Sequence, residues 1–203
     1  METSSTLPVP HSVHQIWIQG GELPEPLAGY VAHIVELCKA SGWEHKLWTA
    51  KDLGALSKKS QSRFRALSAK CFHIPRQSTL LRCLILRDCG GLYLDTDVQL
   101  NALPDGLSGA WVPATPAMCG VGAFALACPA QDAWAERIVG LCSAETLGPK
   151  HSTGSKLVAA SLGPDVSKWP REAWENWNGR KAQFGIHHWS ENPMGNFTKK
   201  ATP

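Results

Sequence analysis

Two aspartates one residue apart close the segment GGLYLDTDV, residues 90–98. Side chains at i and i+2 of an extended chain point to the same side, so Asp95 and Asp97 can face one ligand. Carboxylates placed this way repel each other unless a positive group joins them. A hard divalent cation meets that need. Mn²⁺ and Mg²⁺ prefer oxygen and are often held by one or two carboxylates together with phosphate oxygens. The chemistry on offer is therefore metal-assisted binding of a diphosphate. An Asp-x-Asp tripeptide alone is common, and its plain alternative is a polar turn after a strand. The setting here is more particular: Arg82 on an apolar helical stretch, then Gly90 and Gly91, then the apolar run Leu92-Tyr93-Leu94. Among the histidines, His11 and His14 have no ligand-pair spacing. His187 and His188 are adjacent, so in a strand they point opposite ways and only one can join a given site.

Periodicity predicts the elements that hold these residues. RQSTLLRCLILRDCGG (76–91) predicts a helix. Ser78 or Thr79 is its expected cap, Leu80, Leu81, Cys83, Leu84 and Ile85 its buried face, and Gly90 its stop. LYLDTDVQL then predicts one strand. SVHQIWIQGG (12–21) predicts a first strand carrying Val13, Ile16 and Ile18, followed by a glycine loop. PEPLAGYVAHIVELCKASG (24–42) has helical spacing, with Pro26 near its start and Gly42 past its end. WEHKLWT, WVPA, VGAFALACP and QFGIHHWS predict further strands; SRFRALSAKCF, DAWAERIVGLCSA and STGSKLVAASLG predict helices. Strands alternating with helices imply an α/β fold, with a mainly parallel twisted sheet flanked by helices. In open α/β sheets, ligands bind beyond the carboxyl ends of the strands, where Asp95 and Asp97 fall.

The 203 residues suit one domain, expected over 11–198 between loose ends at 1–10 and 199–203. A net charge of +3 is too weak to argue for nucleic acid. The basic stretch Lys58, Lys59, Arg63, Arg65, Lys70 and Arg76 reads either as a solvated helix face or as a surface for an anionic substrate. Seven cysteines without regular spacing or a CxxC pair read as reduced thiols in a cytoplasmic protein, not as a zinc site. No signal peptide and no transmembrane run is expected. The absence of GxxxxGK[ST], and of GxGxxG after the first strand, removes P-loop and Rossmann readings. Most of the nine tryptophans are expected in the core.

LLRCLILRDCGGLYLDTDV resembles the core of the family 32 glycosyltransferases with a DXD sugar-binding region. That group includes capsule and lipopolysaccharide sugar transferases and fungal mannosyltransferases, and is related to the catalytic domains of clostridial glucosylating toxins. HQIWIQGG is similar to the family's first strand, STGSK to its Thr-Gly-Pro, and GIHHW to its late His-containing strand; the four fall in family order. The resemblance implies a single GT-A-type domain and a retaining, metal-dependent, hexosyltransferase-like enzyme. It also implies a nucleotide-sugar donor, UDP- or GDP-linked, and Mn²⁺ or Mg²⁺. It implies roles as well. Trp17 would stack on the nucleotide base, and backbone groups near Ile16 would read the base edge. Arg82 would reach the donor sugar or phosphate, and Tyr93 would lie beside sugar and ribose. Asp95 would contact ribose and donor sugar and perform catalysis with Arg82. Asp97 would be the direct metal ligand, joined by Asp95 and His187. Asn192 falls where the family has the Ser of a closing Ser-Trp pair.

This sequence departs from the pattern at three places. Thr79 replaces the family's helix acid and offers a hydroxyl in place of a charge-assisted bond. Gln19 stands at the first loop glycine, and ENPMGN replaces the closing pair. The acceptor stays open among glycan, lipid-linked sugar, protein, metabolite and a modified base in DNA. A non-catalytic nucleotide-sugar-binding module is the alternative from another class.

Overall fold

The first strand forms as β1 (Ser12–Ile16), and the first helix as α1 (Leu27–Ser41), which ends at Gly42 in the left-handed conformation. These come from a computed structural model that describes residues 7–71, 73–116, 119–147, 153–175 and 181–188. β2 (Glu44–Trp48) lies parallel to β1. α2 (Lys58–Ser68) starts earlier than expected because Ser57 caps it, its side chain accepting from the Ser60 N–H. α3 (Ile74–Cys89) also starts early, with a proline in its first turn. The expected cap at Ser78 or Thr79 is therefore displaced, and both residues are helical.

The single strand expected over LYLDTDVQL is two strands, β3 (Gly91–Leu94) and β4 (Val98–Leu100), and the aspartates lie in the turn between them. Gly91 has φ +89°, and a Cβ there would sit 2.5 Å from the Ser12 hydroxyl. Only glycine allows β3 so close to β1. β5 (Ala110–Pro113), β6 (Ala125–Cys128), α4 (Ala133–Leu141) and α5 (Thr153–Ser161) follow. β7 (Val166–Trp169) carries exposed Ser167 and Lys168 and gave no alternating signal. β8 (Gly185–His187) is the last strand among the described residues.

The main sheet has the order β2-β1-β3-β6-β5-β7. It is mainly parallel, as expected, with one reversed strand inside it. β1 pairs parallel with β2 and β3, and β5 with β7, but β6 runs antiparallel to both β3 and β5. The link from β5 to β6 accounts for the reversed strand, since its described residues hold no helix. A parallel neighbour needs a crossover; a loop returns the chain antiparallel. β4 and β8 form a separate antiparallel pair, with Val98 opposite His187.

Alternation along the strands splits the core. Tyr93, Val112 and Leu126 join one apolar cluster with α3 and α4, while Val13, Leu92, Leu94 and Ala125 join the other with α1 and Trp174. Trp48, Trp134 and Trp174 are fully buried, and all seven cysteines are free. At the start of the chain Leu7 is exposed, but Val9 is buried and its N–H donates to the Leu107 carbonyl. The loose end expected over 1–10 is thus tied down by residue 9. Trp177, Trp189 and residues 199–203 lie outside the described residues.

Candidate active site

α3 presents Thr79 and Arg82 one turn apart on one face. The Thr79 hydroxyl donates to the Pro75 carbonyl at 3.0 Å, the i−4 back-bond open to a mid-helix threonine. Arg82, 8% exposed, reaches past the end of β3. Its Nη2 lies 3.1 Å from Asp95 Oδ1, its Nη1 donates to the Ala123 carbonyl, and its guanidinium lies 4.6 Å from the Tyr93 ring centroid. Burial alone works against the Arg82 charge, but Asp95, Tyr93, Cys83 and Asp97 outweigh it and raise its pKa. Tyr93 donates its hydroxyl to Asp95 Oδ1 at 2.6 Å. Burial pushes the Tyr93 pKa well up, with Asp95 adding to the shift, so the phenol stays a donor.

Asp95 Oδ1 thus takes two donors on one side. His187 approaches from the other, its Nε2 3.9 Å from Asp95 Oδ2 and 3.1 Å from Asp97 Oδ1. The imidazole is stacked on Phe124, centroids 4.4 Å apart and planes 10° from parallel. One ligand atom from each of Asp95, Asp97 and His187 lies within 4.8 Å of the others. Two carboxylate oxygens and an imidazole nitrogen make a donor set suited to a divalent first-row metal. The carboxylates do not meet by strand alternation, as the i, i+2 spacing suggested. They meet through the turn, whose Asp95 carbonyl accepts from Val98 N–H, and through the Val98–His187 pairing.

These groups line a two-lobed cleft. The first lobe, about 350 Å³, is lined by Ile16, Trp17, Ser78, Tyr93 and Asp97. Trp17 is 7% exposed, and its indole N–H donates to the Gly21 carbonyl at 3.2 Å, which fixes the ring in the wall. The second lobe, about 200 Å³, shares Pro75, Arg82 and Asp95 with the first. Thr79, Phe124, Gly154, Ser155 and His187 complete it. A Cβ on Gly154 would stand 2.7 Å from the Ala123 Cβ, so this glycine lets α5 press against Thr79 and Arg82.

Of the residues singled out in the sequence, Ile16, Trp17, Thr79, Arg82, Tyr93, Asp95, Asp97 and His187 converge on this cleft. Asn192 lies outside the described residues. Arg82 pairs with Asp95, whereas Asp88 accepts from Arg87 and from the Ser57 N–H. The basic stretch is partly structural: Arg63 donates to the Val139 and Cys142 carbonyls at the end of α4, and Lys59 is 3.7 Å from Glu136. Phe124, Ser155 and Gln15 were missed. The available signal was Gln15 itself, a polar side chain on the buried face of β1, which must find partners.

Residues 25–108 match the family model described as a glycosyltransferase sugar-binding region containing a DXD motif. Among solved structures the fold is similar to PaToxG glycosyltransferase, with a TM-score of 0.56 and 15% identity over 78% of this chain and 70% of that one. At that identity the likeness speaks for the fold. Comparison with curated proteins gives no match. The family match spans residues 25–108, less than half of the chain, and the structural likeness adds the fold. More particularly, α3, Arg82, Tyr93 and both aspartates fall inside the DXD sugar-binding region. Among the described residues, no helix is long and apolar enough to cross a membrane.

Proposed function

We propose that this chain is a metal-dependent, retaining glycosyltransferase that moves a sugar from a UDP- or GDP-sugar to an acceptor. The observation that carries this reading is the convergence of Asp95, Asp97 and His187 with Arg82 and Tyr93 on one cleft. Asp97, Asp95 and His187 would hold Mn²⁺ or Mg²⁺. A divalent metal bound there supplies Lewis acidity that neutralises charge developing on a leaving diphosphate.

The remaining roles fall to the chain itself. Trp17 and Ile16 wall the first lobe, where an aromatic face suits a nucleotide base. The buried Arg82 is held in place by Asp95 and the Ala123 carbonyl, so its charge is already aimed when negative charge grows at the donor phosphate. Tyr93 orients Asp95 toward the ribose and the transferred sugar. Among the described residues, the only carboxylates lining the two lobes are Asp95 and Asp97. Each is already bound to a cation or an imidazole, so neither is free to act as a covalent nucleophile. That supports front-face displacement, with the donor phosphate receiving the acceptor's proton. Thr79 and Ser155 border the second lobe, where the donor sugar would lie, and Thr79 has its hydroxyl engaged by Pro75.

The same Thr79 bond favours one second reading, a nucleotide-sugar-binding module without turnover. A thermal-shift screen of UDP- and GDP-sugars, with and without Mn²⁺, tests the first step. A ligand at a hundred times its dissociation constant adds about 2.7 kcal/mol, which moves the midpoint by roughly 5–11 °C in a chain of this size. The expected shift needs donor and metal together and vanishes in Asp97→Ala. Slow donor hydrolysis without acceptor is expected of the enzyme, and none of the module.

A further inference from the structure

The turn that carries both aspartates is held from behind by a side chain outside the cleft. Gln15 is fully buried on β1. It shares its face of the strand with Val13, whose neighbours Ile34, Leu92 and Leu94 are apolar. A primary amide buried there must be satisfied at both ends. Its Nε2 donates to the Asp95 carbonyl at 3.3 Å, and its Oε1 lies 2.9 Å from His45 Nε2. A carbonyl oxygen only accepts, so the amide NH₂ must face Asp95 and the amide oxygen must face His45. His45 therefore carries its proton on Nε2 and donates. The Asp95 carbonyl is the same one that accepts from Val98 N–H to close the turn.

We infer that Gln15, braced by His45, is a positioning residue for the metal-binding turn. This rests on the proposed metal site. Gln15 fixes the peptide plane after Asp95, and with it the place of Asp97 two residues on. His45 fixes Gln15, because without a donor the amide oxygen would be left unpaired and the side chain free to turn. Both lie on strands that end behind the cleft, and neither lines either lobe. Their influence on the metal passes through the backbone. Removing the hydrogen-bonded support behind a metal ligand typically costs about 10- to 100-fold in metal affinity.

Mn²⁺ affinity read by electron paramagnetic resonance of the free ion, on the whole chain, provides the test. Gln15→Leu is expected to weaken Mn²⁺ binding within that range. His45→Leu, at a partly exposed position, is expected to do the same with less effect on folding. His45→Gln keeps an N–H donor near the Nε2 position and is expected to restore most of the affinity. If the wild type binds Mn²⁺ and both leucine variants bind it equally well, even with lowered melting points, Gln15 is a structural residue only and the inference is overturned. Should Gln15→Leu not fold, the His45 pair of variants decides alone. Absence of Mn²⁺ binding by the wild type would overturn the metal reading and this inference with it.

Discussion

Arg82 is the side chain on which most of the cleft depends. It is buried, it holds one oxygen of Asp95 and one backbone carbonyl, and it covers the Tyr93 ring. A planar fork can make these contacts at once, and a single ammonium cannot. Arg82→Lys is therefore expected to keep the charge but lose the geometry. Turnover should fall about 100- to 1000-fold, in the range seen when one aimed donor is lost, with a smaller effect on Mn²⁺ affinity. A steady-state assay on the donor found in the screen, beside a Mn²⁺ titration, checks the difference. Tyr93→Phe is the milder companion, since it removes one of the two donors to Asp95 Oδ1 and leaves the other.

Among the elements, β1 and α5 carry distinct liabilities. His14 on β1 accepts the Trp48 indole N–H on Nδ1, and burial lowers its pKa from 6.5 to about 4. A depressed histidine is neutral when folded and protonated when unfolded between those values. Its contribution is present above pH 6.5 and is lost as pH falls toward 4, about 3 kcal/mol in all. His45, also lowered by burial, adds to the same slope. Urea unfolding at a series of pH values should show this decline, and His14→Asn should flatten part of it. On α5, Gly154→Ala forces a Cβ against Ala123. Overpacking of that kind costs roughly 1–3 kcal/mol. It should also push α5 from the second lobe, so that, on the proposed function, stabilisation by a nucleotide sugar drops while that by the free nucleotide remains. These elements also show what the sequence could reveal. The apolar face of α3 and the stop at Gly90 were legible because the helical period and glycine's φ freedom act locally. So were Arg82, Asp95 and Asp97, which sit within one helix–strand unit. The split of LYLDTDVQL into β3 and β4 was hidden, since it depends on β4 pairing with a strand almost ninety residues away. β7 was hidden because its middle residues face solvent, and Phe124 because only folding brings it under His187.

For the whole molecule, the two apolar clusters share one sheet, and strand neighbours such as Tyr93 and Leu94 divide between them. Neither cluster can melt without stripping one face from the same strands. A single cooperative transition is expected. Tryptophan fluorescence, which reports Trp48 and Trp134 in one cluster and Trp43, Trp169 and Trp174 in the other, should coincide with far-ultraviolet circular dichroism. Separate midpoints would show that the sheet does not couple them.

The pairing of β4 with β8 sets an order of events. His187 comes from the last described strand, and it meets Asp97 only after β8 has docked beside β4. A growing polypeptide could build the cleft wall of Trp17, Arg82 and Tyr93 long before that residue is made. The cluster of Asp95, Asp97 and His187 closes after that wall, across a long loop whose entropy must be overcome first. During synthesis the chain would pass through a stage with a finished wall and an unfinished cluster, which is completed only when β8 is in place.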